Sequence, residues 1–195
     1  MNAQPSGDEH IGGPSAGRVI SLVCPHDEEV AIGPILPDDL GILFKWLNDE
    51  TAARDDFSYQ PLNCLAYKAW IDRLSQANDM IVFIVRELRQ SRAIGFVVFK
   101  NFKPAYRSAE LGIRIGQEMD RGKGYGTRVA RLALDYAWRT LNLHRLSLVA
   151  FSENRQALAA YSKAGFQKEA EMRDAAFTNG VWHNVTMMAA INSYT

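Results

Sequence analysis

Three glycines at alternate positions separate a predicted strand from a long predicted helix. The segment reads Arg121-Gly122-Lys123-Gly124-Tyr125-Gly126-Thr127. Glycine reaches positive φ angles without a Cβ clash, so this backbone can curl tightly and expose its N–H groups. The N-terminus of the following helix adds unpaired N–H groups and a partial positive charge, which favour an anion. With Arg121 and Lys123 available as full charges, the segment predicts a loop that binds a pyrophosphate.

A glycine-rich loop between a strand and a helix is a weak signal when it stands alone, because a tight turn would use the same residues. The P-loop ending Gly-Lys-Ser/Thr is absent here, since Gly126 is followed by Thr127 and Arg128. The GxGxxG register of a dinucleotide-binding fold fails at Val129, and the strands before the loop have an antiparallel pattern. The surrounding segments therefore have to indicate what the loop binds.

The hydrophobic pattern predicts one mixed sheet with helices on both faces, in the order β-α-α-β-β-β-α-β-α-β-β. Two glycines in the strand before the loop, Gly112 and Gly116, predict a bulge or a close backbone approach. Asn179-Gly180 predicts the turn of a final hairpin. The predicted strands span 30–36, 80–87, 93–99, 108–116, 145–151, 166–177 and 181–191. The first predicted helix begins at Pro37, and the other three span 65–76, 125–141 and 154–164.

Composition narrows the class of protein. The 195 residues carry 22 basic and 22 acidic side chains, and this zero net charge argues against a nucleic-acid-binding protein. Its apolar runs stop short of the roughly 20 residues that span a bilayer. Cys24 and Cys64 show no CxxC spacing, and the four histidines are scattered, so neither a disulfide framework nor a metal site is expected. We expect a cytoplasmic protein with a disordered leader over residues 1–17 and a single domain over residues 18–195.

The segment from Glu110 to Met188 resembles the GNAT superfamily of N-acetyltransferases, and within it the RimJ/RimL-like branch. Arg121-x-x-Gly124-x-Gly126 fits the acetyl-CoA motif [QR]xxGx[GA] of that family. Asn154-x-x-Ala157-x-x-x-Tyr161-x-x-x-Gly165-Phe166 follows at the spacing that the family uses. The resemblance implies an α/β fold: a mostly antiparallel, seven-stranded sheet flanked by helices, splayed between its fourth and fifth strands.

The resemblance also implies where acetyl-CoA binds. The pantetheine arm would enter the splay and pair with the main chain near Ile113 and Ile115. Asn154 would cap the short helix, contact the arm, or do both. The pyrophosphate would lie on the glycine loop, formed by Arg121, Gly122, Lys123, Gly124, Tyr125, Gly126 and Thr127.

Two residues are the implied catalysts of direct amine attack in a ternary complex. Glu110 is the candidate general base, because a lysine-like amine with a reference pKa near 10.4 must lose a proton before it attacks. The alternative for Glu110 is a structural ion pair with a cation such as Arg107. Tyr161 is the candidate general acid that protonates the departing thiolate, and its alternative is ring packing against the sheet. No cysteine nucleophile and no metal is implied.

The acceptor amine is expected over the first two helices and the last hairpin. The predicted substrate contacts there are Trp46, Asp49, Asp55, Tyr59 and His183. Acidic and aromatic residues together favour a cationic amine, such as a polyamine, an amino sugar or an amine-bearing antibiotic. The alternative is a solvated acidic loop, and Arg54 in its midst weakens the cationic preference.

Two other functions stay open at this point. One is acetylation of the N-terminal α-amine of a protein, as in the ribosomal members of the branch. The other is a non-catalytic acetyl-CoA sensor, although the presence of both Glu110 and Tyr161 argues against it. The apolar residues Val185, Met187 and Met188 of the last hairpin fit either a dimer interface or core packing, and the resemblance implies a homodimer.

Overall fold

A computed structural model describes residues 26–49, 61–74, 76 and 79–193 of the chain. The leader predicted over residues 1–17 lies outside these residues. The described strands are β1 (Val30–Gly33), β2 (Met80–Glu87), β3 (Arg92–Lys103), β4 (Ser108–Ile115), β5 (Arg145–Phe151), β6 (Gln167–Thr178) and β7 (Val181–Ile191). The described α-helices are α1 (Leu40–Leu47), α2 (Cys64–Leu74), α3 (Tyr125–Arg139) and α4 (Arg155–Ala164), and a 3₁₀ turn at Pro37–Asp39 leads into α1.

The seven strands form one sheet in the order β1-β2-β3-β4-β5-β7-β6. Every neighbouring pair is antiparallel except β4 and β5, which run parallel. The β4–β5 ladder is short, because it pairs only Ser108 with Arg145, Ala109 with Leu146 and Glu110 with Ser147. The predicted fold class, including the splay between the fourth and fifth strands, is confirmed.

Helices pack on both faces of the sheet, as the pattern predicts. Alternate residues of β3 face opposite ways: Val97 belongs to a large core beneath α3, whereas Phe96 belongs to a smaller core beneath α1 and α2. On the α3 side, the helix packs against β1 and β4. Its buried stripe is apolar and rich in alanine; it consists of Val129, Ala130, Ala133, Leu134 and Ala137. The sheet therefore has one face for α3 and α4 and another for α1 and α2.

Gly112 in β4 and Gly116 directly after it allow close packing, and neither marks a bulge. The β3–β4 register is unbroken from Gly95–Ile115 to Lys100–Glu110, so the predicted bulge at Gly112 is wrong. A Cβ at Gly112 would lie 2.8 Å from Cγ1 of Val98, and a Cβ at Gly116 would lie 2.1 Å from the Trp46 ring. The alternative of a close approach by a neighbouring group is the one that holds.

Backbone conformation explains how the last elements end. Gly165 ends α4 with a φ of 119°, which an L side chain adopts only under strain. Asn179 and Gly180 join β6 to β7 with φ angles of 50° and 80°, the pattern of a two-residue hairpin turn with both central residues at positive φ. The hairpin turn predicted at Asn179-Gly180 is confirmed.

Candidate active site

The short β4–β5 ladder opens a cleft in the sheet. Beyond the Glu110–Ser147 pair the β4–β5 ladder ends, because β5 continues beside β7 while β4 continues beside β3. A cavity of about 450 Å³ fills the gap. Its walls are β4, the glycine loop, the end of β5 and α4. Unpaired strand edges on both sides can hydrogen-bond to an extended ligand that lies between them.

The glycine loop lies at one end of this cleft, and α3 begins directly after the loop. Gly122 and Gly124 have φ angles of 76° and 83°, and Gly124 is the N-cap of α3. A Cβ on Gly124 would meet nothing within 4 Å, and one on Gly122 would meet only Nε2 of Gln156 at 3.9 Å. These two glycines are therefore required for conformation, and they leave the loop open toward a ligand. The first N–H groups of α3, free of a capping side chain, point along the helix axis toward that space.

A buried ion pair holds the start of the loop, and sequence reasoning did not find it. Asp120 is 1% exposed and immediately precedes Arg121. Both of its carboxylate oxygens accept hydrogen bonds from the Arg92 guanidinium, at 2.8 and 2.5 Å. Those hydrogen bonds lower the pKa of Asp120, since they stabilise its charged form. Arg92 precedes Asp120 by 28 residues, so no local motif marks the pair.

Most of the predicted acetyl-CoA residues line the cleft. They are Ile113, Ile115, Arg121, Gly122, Gly124, Tyr125, Gly126, Thr127 and Asn154. The predicted residue Lys123 does not line the cleft. Its Nζ lies 3.8 Å from the Asp120 carboxylate. Asn154 is the N-cap of α4, and its Oδ1 accepts a hydrogen bond of 3.0 Å from the N–H of Ala157. The predicted cap is confirmed, whereas the roles of these residues toward the cofactor stay predictions.

Glu110 lies where the splay begins, and its carboxylate has two close partners. Oε1 is 3.1 Å from Nζ of Lys100, and Oε2 accepts a hydrogen bond of 2.9 Å from Nδ2 of Asn101. The alternative partner considered from the sequence, Arg107, instead donates two hydrogen bonds to Asn142. A structural ion pair therefore does exist at Glu110, but with Lys100.

Glu110 also borders a second cavity, which has a volume of about 540 Å³. This cavity extends from the closed end of the splay over β5 and β7, where Ser147 and Met187 line it. Glu110 is the residue in which the walls of the two cavities meet, since it lines both of them. Glu110 therefore lies at the boundary between the cleft and this open second cavity.

Tyr161 lies on α4, seven residues after Asn154, and both side chains line the cleft. The spacing of two helical turns explains why they share a face. The Tyr161 ring also packs edge-on against Phe166, with ring centroids 6.0 Å apart. Its ring packing and its position in the cleft are therefore compatible, and its role as general acid stays a prediction.

Among the predicted acceptor contacts, Trp46 is corrected by the structure. Its ring is 1% exposed and packs in the core beneath α1 and α2, where it covers Gly116. Its Nε1 has no hydrogen-bond partner among the described residues, and its carbonyl accepts a hydrogen bond of 2.7 Å from Arg114. The indole therefore fixes α1 to the end of β4 and does not contact a substrate.

The structure describes two of the other four predicted acceptor contacts, Asp49 and His183. Asp49 lies two residues after the last residue of α1, while Asp55 and Tyr59 lie outside the described residues. The His183 ring packs 5.0 Å from Phe151. Glu110 pairs with Ser147 of β5, which pairs in turn with Ala189 of β7. His183 lies six residues before Ala189 on β7, which is about 20 Å along a strand. Whether any of these four contacts a substrate stays a prediction.

Comparison with known proteins decides between the readings of the cleft. The family model described as an acetyltransferase (GNAT) domain matches residues 30–167, which is more than half of the chain. The chain belongs to the GNAT acetyltransferase family. This GNAT protein is 31% identical over 169 residues to the spermidine N(1)-acetyltransferase of Escherichia coli K12, covering 84% of the chain and 87% of the relative.

Two further similarities extend this picture. The crystal structure of spermidine N-acetyltransferase from Vibrio cholerae in complex with CoA and spermine superposes with a TM-score of 0.79 at 26% identity, covering 86% of this chain and 98% of that one. The [ribosomal protein uS5]-alanine N-acetyltransferase of Escherichia coli is 24% identical over 137 residues, 70% of each chain. The RimJ/RimL-like branch remains a prediction within the confirmed family.

The GNAT protein is thus an N-acetyltransferase that uses acetyl-CoA. The described residues fit that donor, because the unpaired edge of β4 suits its pantetheine arm and the open glycine loop suits its pyrophosphate. Within 26–49, 61–74 and 79–193, no group of three His, Cys, Asp or Glu side chains could hold a metal ion. Across the same part of the chain, no helix is both long and apolar enough to cross a membrane.

Proposed function

We propose that this GNAT protein acetylates a primary amine of a small molecule, with polyamines as the first class to test. The observation that carries the proposal is the position of Glu110, which borders both the cofactor cleft and the second cavity. A base at that junction reaches an amine that enters from one cavity and a thioester held in the other. The relatives named for spermidine support a polyamine over an amino sugar.

The chain's own residues supply proton transfer at both ends of the reaction. Bound acetyl-CoA supplies a thioester carbonyl that an amine can attack. Glu110 accepts the proton that the acceptor ammonium must lose, directly or through one water. The Tyr161 hydroxyl donates a proton to the sulfur that leaves. Beyond Glu110, alternate residues of β4 direct their main-chain N–H groups toward the β5 side, where such a group can stabilise the oxyanion.

The acceptor preference rests on the relatives and on charge. The segment 50–60, which lies outside the described residues, carries Glu50, Asp55 and Asp56 against Arg54. Three carboxylates against one guanidinium attract a cationic amine, in keeping with a polyamine. A peptide α-amine is the second acceptor class, because the uS5-alanine acetyltransferase is also a relative.

The direct test is CoA release from acetyl-CoA with matched acceptors: spermidine, spermine, glucosamine, an aminoglycoside and a peptide that begins with alanine. We expect turnover with a polyamine. Turnover with the peptide alone would replace the proposal by N-terminal acetylation. Tight acetyl-CoA binding with no turnover of any acceptor would favour a sensor.

Two variants test the proton transfers. Glu110→Gln and Tyr161→Phe should each lower kcat by roughly 10² to 10⁴, the usual contribution of a general acid or base, and leave the Kd for acetyl-CoA unchanged in calorimetry. Tyr106→Phe is the matched control, because Tyr106 is exposed and lines neither cavity. If Tyr161→Phe turns over as fast as Tyr106→Phe, Tyr161 is not the acid.

We infer further that the protein acts in the cytoplasm, that residues 18–195 form one domain, and that it pairs as a homodimer. Val185 and Met188 are buried, so core packing accounts for these two residues. Phe177 and Trp182 support the dimer instead, since both are more than half exposed at the end of the last hairpin, with ring centroids 5.0 Å apart. Light scattering of the wild type and of Trp182→Ser measures the oligomeric state. A monomeric wild type would refute the dimer.

A further inference from the structure

A β-bulge in β3 lies next to the catalytic carboxylate. In the β3–β4 ladder Lys100 pairs with Glu110, and the next pair joins Lys103 to Ser108. Two residues of β3, at positions 101 and 102, therefore oppose a single residue of β4. Asn101 has a φ of 54°, in the left-handed region where the first residue of one bulge type lies. Asparagine is among the few non-glycine residues that tolerate this conformation.

The bulge changes which side chains can reach Glu110. In a regular strand, successive side chains point to opposite faces, so Lys100 and Asn101 could not contact one carboxylate. Here they do: Lys100 lies 3.1 Å from Oε1 and Asn101 donates a 2.9 Å hydrogen bond to Oε2. The left-handed turn at Asn101 is what brings its amide back to the Glu110 side.

We propose that Asn101 is a positioning residue, which fixes the Glu110 carboxylate toward the junction of the two cavities. The proposal rests on the proposed role of Glu110 as base. An amide suits this task, because Nδ2 can only donate and so orients the carboxylate without competing for the proton. Each carboxylate oxygen keeps a further lone pair for the acceptor amine or its water. Lys100 places a positive charge beside the Glu110 carboxylate, and the Asn101 amide fixes its orientation.

Replacing Asn101 by glycine tests the amide and preserves the backbone. Glycine adopts the left-handed conformation at no steric cost, so Asn101→Gly should fold and melt close to the wild type. We expect kcat to fall between about tenfold and a hundredfold, the usual cost of a misplaced catalytic group, with an unchanged KM for acetyl-CoA. Asn179→Gly is the matched control, because Asn179 also has a positive φ but lies at the hairpin turn.

The Asn101→Asp variant adds a second readout. A carboxylate in place of the amide repels Glu110, so the acidic limb of the kcat/KM profile should move to higher pH. This shift tests whether side chain 101 contacts the base that titrates in the profile, whereas Asn101→Gly tests whether the native amide positions it. An unmoved limb, or an Asn101→Gly variant with the kcat of Asn179→Gly, overturns the positioning role.

A double-variant cycle separates this inference from the proposed function. If Asn101 acts through Glu110, adding Asn101→Gly to Glu110→Gln should lower kcat no further. Additive losses would show that Asn101 acts independently of Glu110, and they would overturn the inference alone. If Glu110→Gln itself keeps wild-type kcat, Glu110 is not the base, and the proposed mechanism fails together with the inference.

Discussion

Replacing Arg92 by methionine removes the only described guanidinium that contacts the Asp120 carboxylate, and it tests what holds the glycine loop. Methionine keeps most of the apolar volume of the arginine stem. The Asp120 side chain has 0% exposure and the Arg92 side chain 30%, so the variant leaves a buried carboxylate with a single weak partner, Lys123 at 3.8 Å. The substitution therefore lowers the free energy of unfolding, because the charge of Asp120 stays buried without its main partner.

The magnitude follows from the burial of the pair. Breaking a buried ion pair by removing one partner costs about 3–5 kcal/mol. Because Arg92 is partly exposed, we take the lower end, about 3 kcal/mol, which corresponds to about 6–12 °C in Tm for a chain of this length. Arg73→Met is the matched control, since Arg73 makes a 2.8 Å salt bridge to Asp79 with both side chains exposed. That change should cost less than about 1 kcal/mol.

The pH dependence gives the test a definite sign. The hydrogen bonds from Arg92 lower the pKa of Asp120 in the folded protein. A carboxyl group with a lowered pKa contributes stability fully above its unfolded pKa, about 3.9, and loses it as pH falls through the folded pKa. The stability gap between wild type and Arg92→Met should therefore be complete at pH 7 and should shrink below about pH 4.

Urea denaturation of the wild type, Arg92→Met and Arg73→Met at pH 7, 5 and 3.5 measures this gap. The double variant Arg92→Met with Asp120→Asn should recover part of the loss, because no charge remains buried. Equal stability of Arg92→Met and Arg73→Met at pH 7, or a gap that stays constant down to pH 3.5, would refute the reasoning.

The remaining predictions concern two glycines of the site. Gly124→Ala should weaken acetyl-CoA binding by about 1–2 kcal/mol in calorimetry, since its φ of 83° strains any side chain although the space is open; an unchanged Kd would mean that the left-handed conformation is dispensable. Gly116→Ala should lower the free energy of unfolding by about 1–3 kcal/mol in urea denaturation, because its Cβ would lie 2.1 Å from the Trp46 ring. Unfolding at wild-type urea concentrations would show that the ring can move aside.

Local patterns predicted the elements well because those elements are built from local signals. The strand Arg145–Phe151 and the hairpin turn at Asn179-Gly180 match the structure, since alternation and a turn dipeptide are written in adjacent residues. The prediction that Trp46 contacts the acceptor was wrong, although its spacing from Leu43 indicates a core position. It lies three residues after Leu43, on the buried side of α1, where a core position is expected.

Long-range pairs and backbone irregularities were beyond the sequence. The contact between Arg92 and Asp120 joins the β2–β3 hairpin to the glycine loop, and neither residue belongs to a recognisable motif. The bulge at Asn101 carries no glycine or proline, the usual signs of such a site. Glu110 could be found from the family pattern, but its partners could not, because a two-to-one offset in the ladder brings Asn101 to it.

The position of Glu110 in the sheet explains why a base placed there is held firmly. After Glu110, β4 stays regularly paired with β3, while its pairing with β5 stops. Before Glu110, β4 is regularly paired with β5, while its pairing with β3 contains the bulge. Glu110 pairs with Lys100 and Ser147 as the last regular partner on each side. Its backbone is therefore fixed from both neighbours at the point where the sheet opens. A catalytic group gains most from such support, because a rigid strand and a hydrogen-bonded side chain fix its direction before a substrate binds.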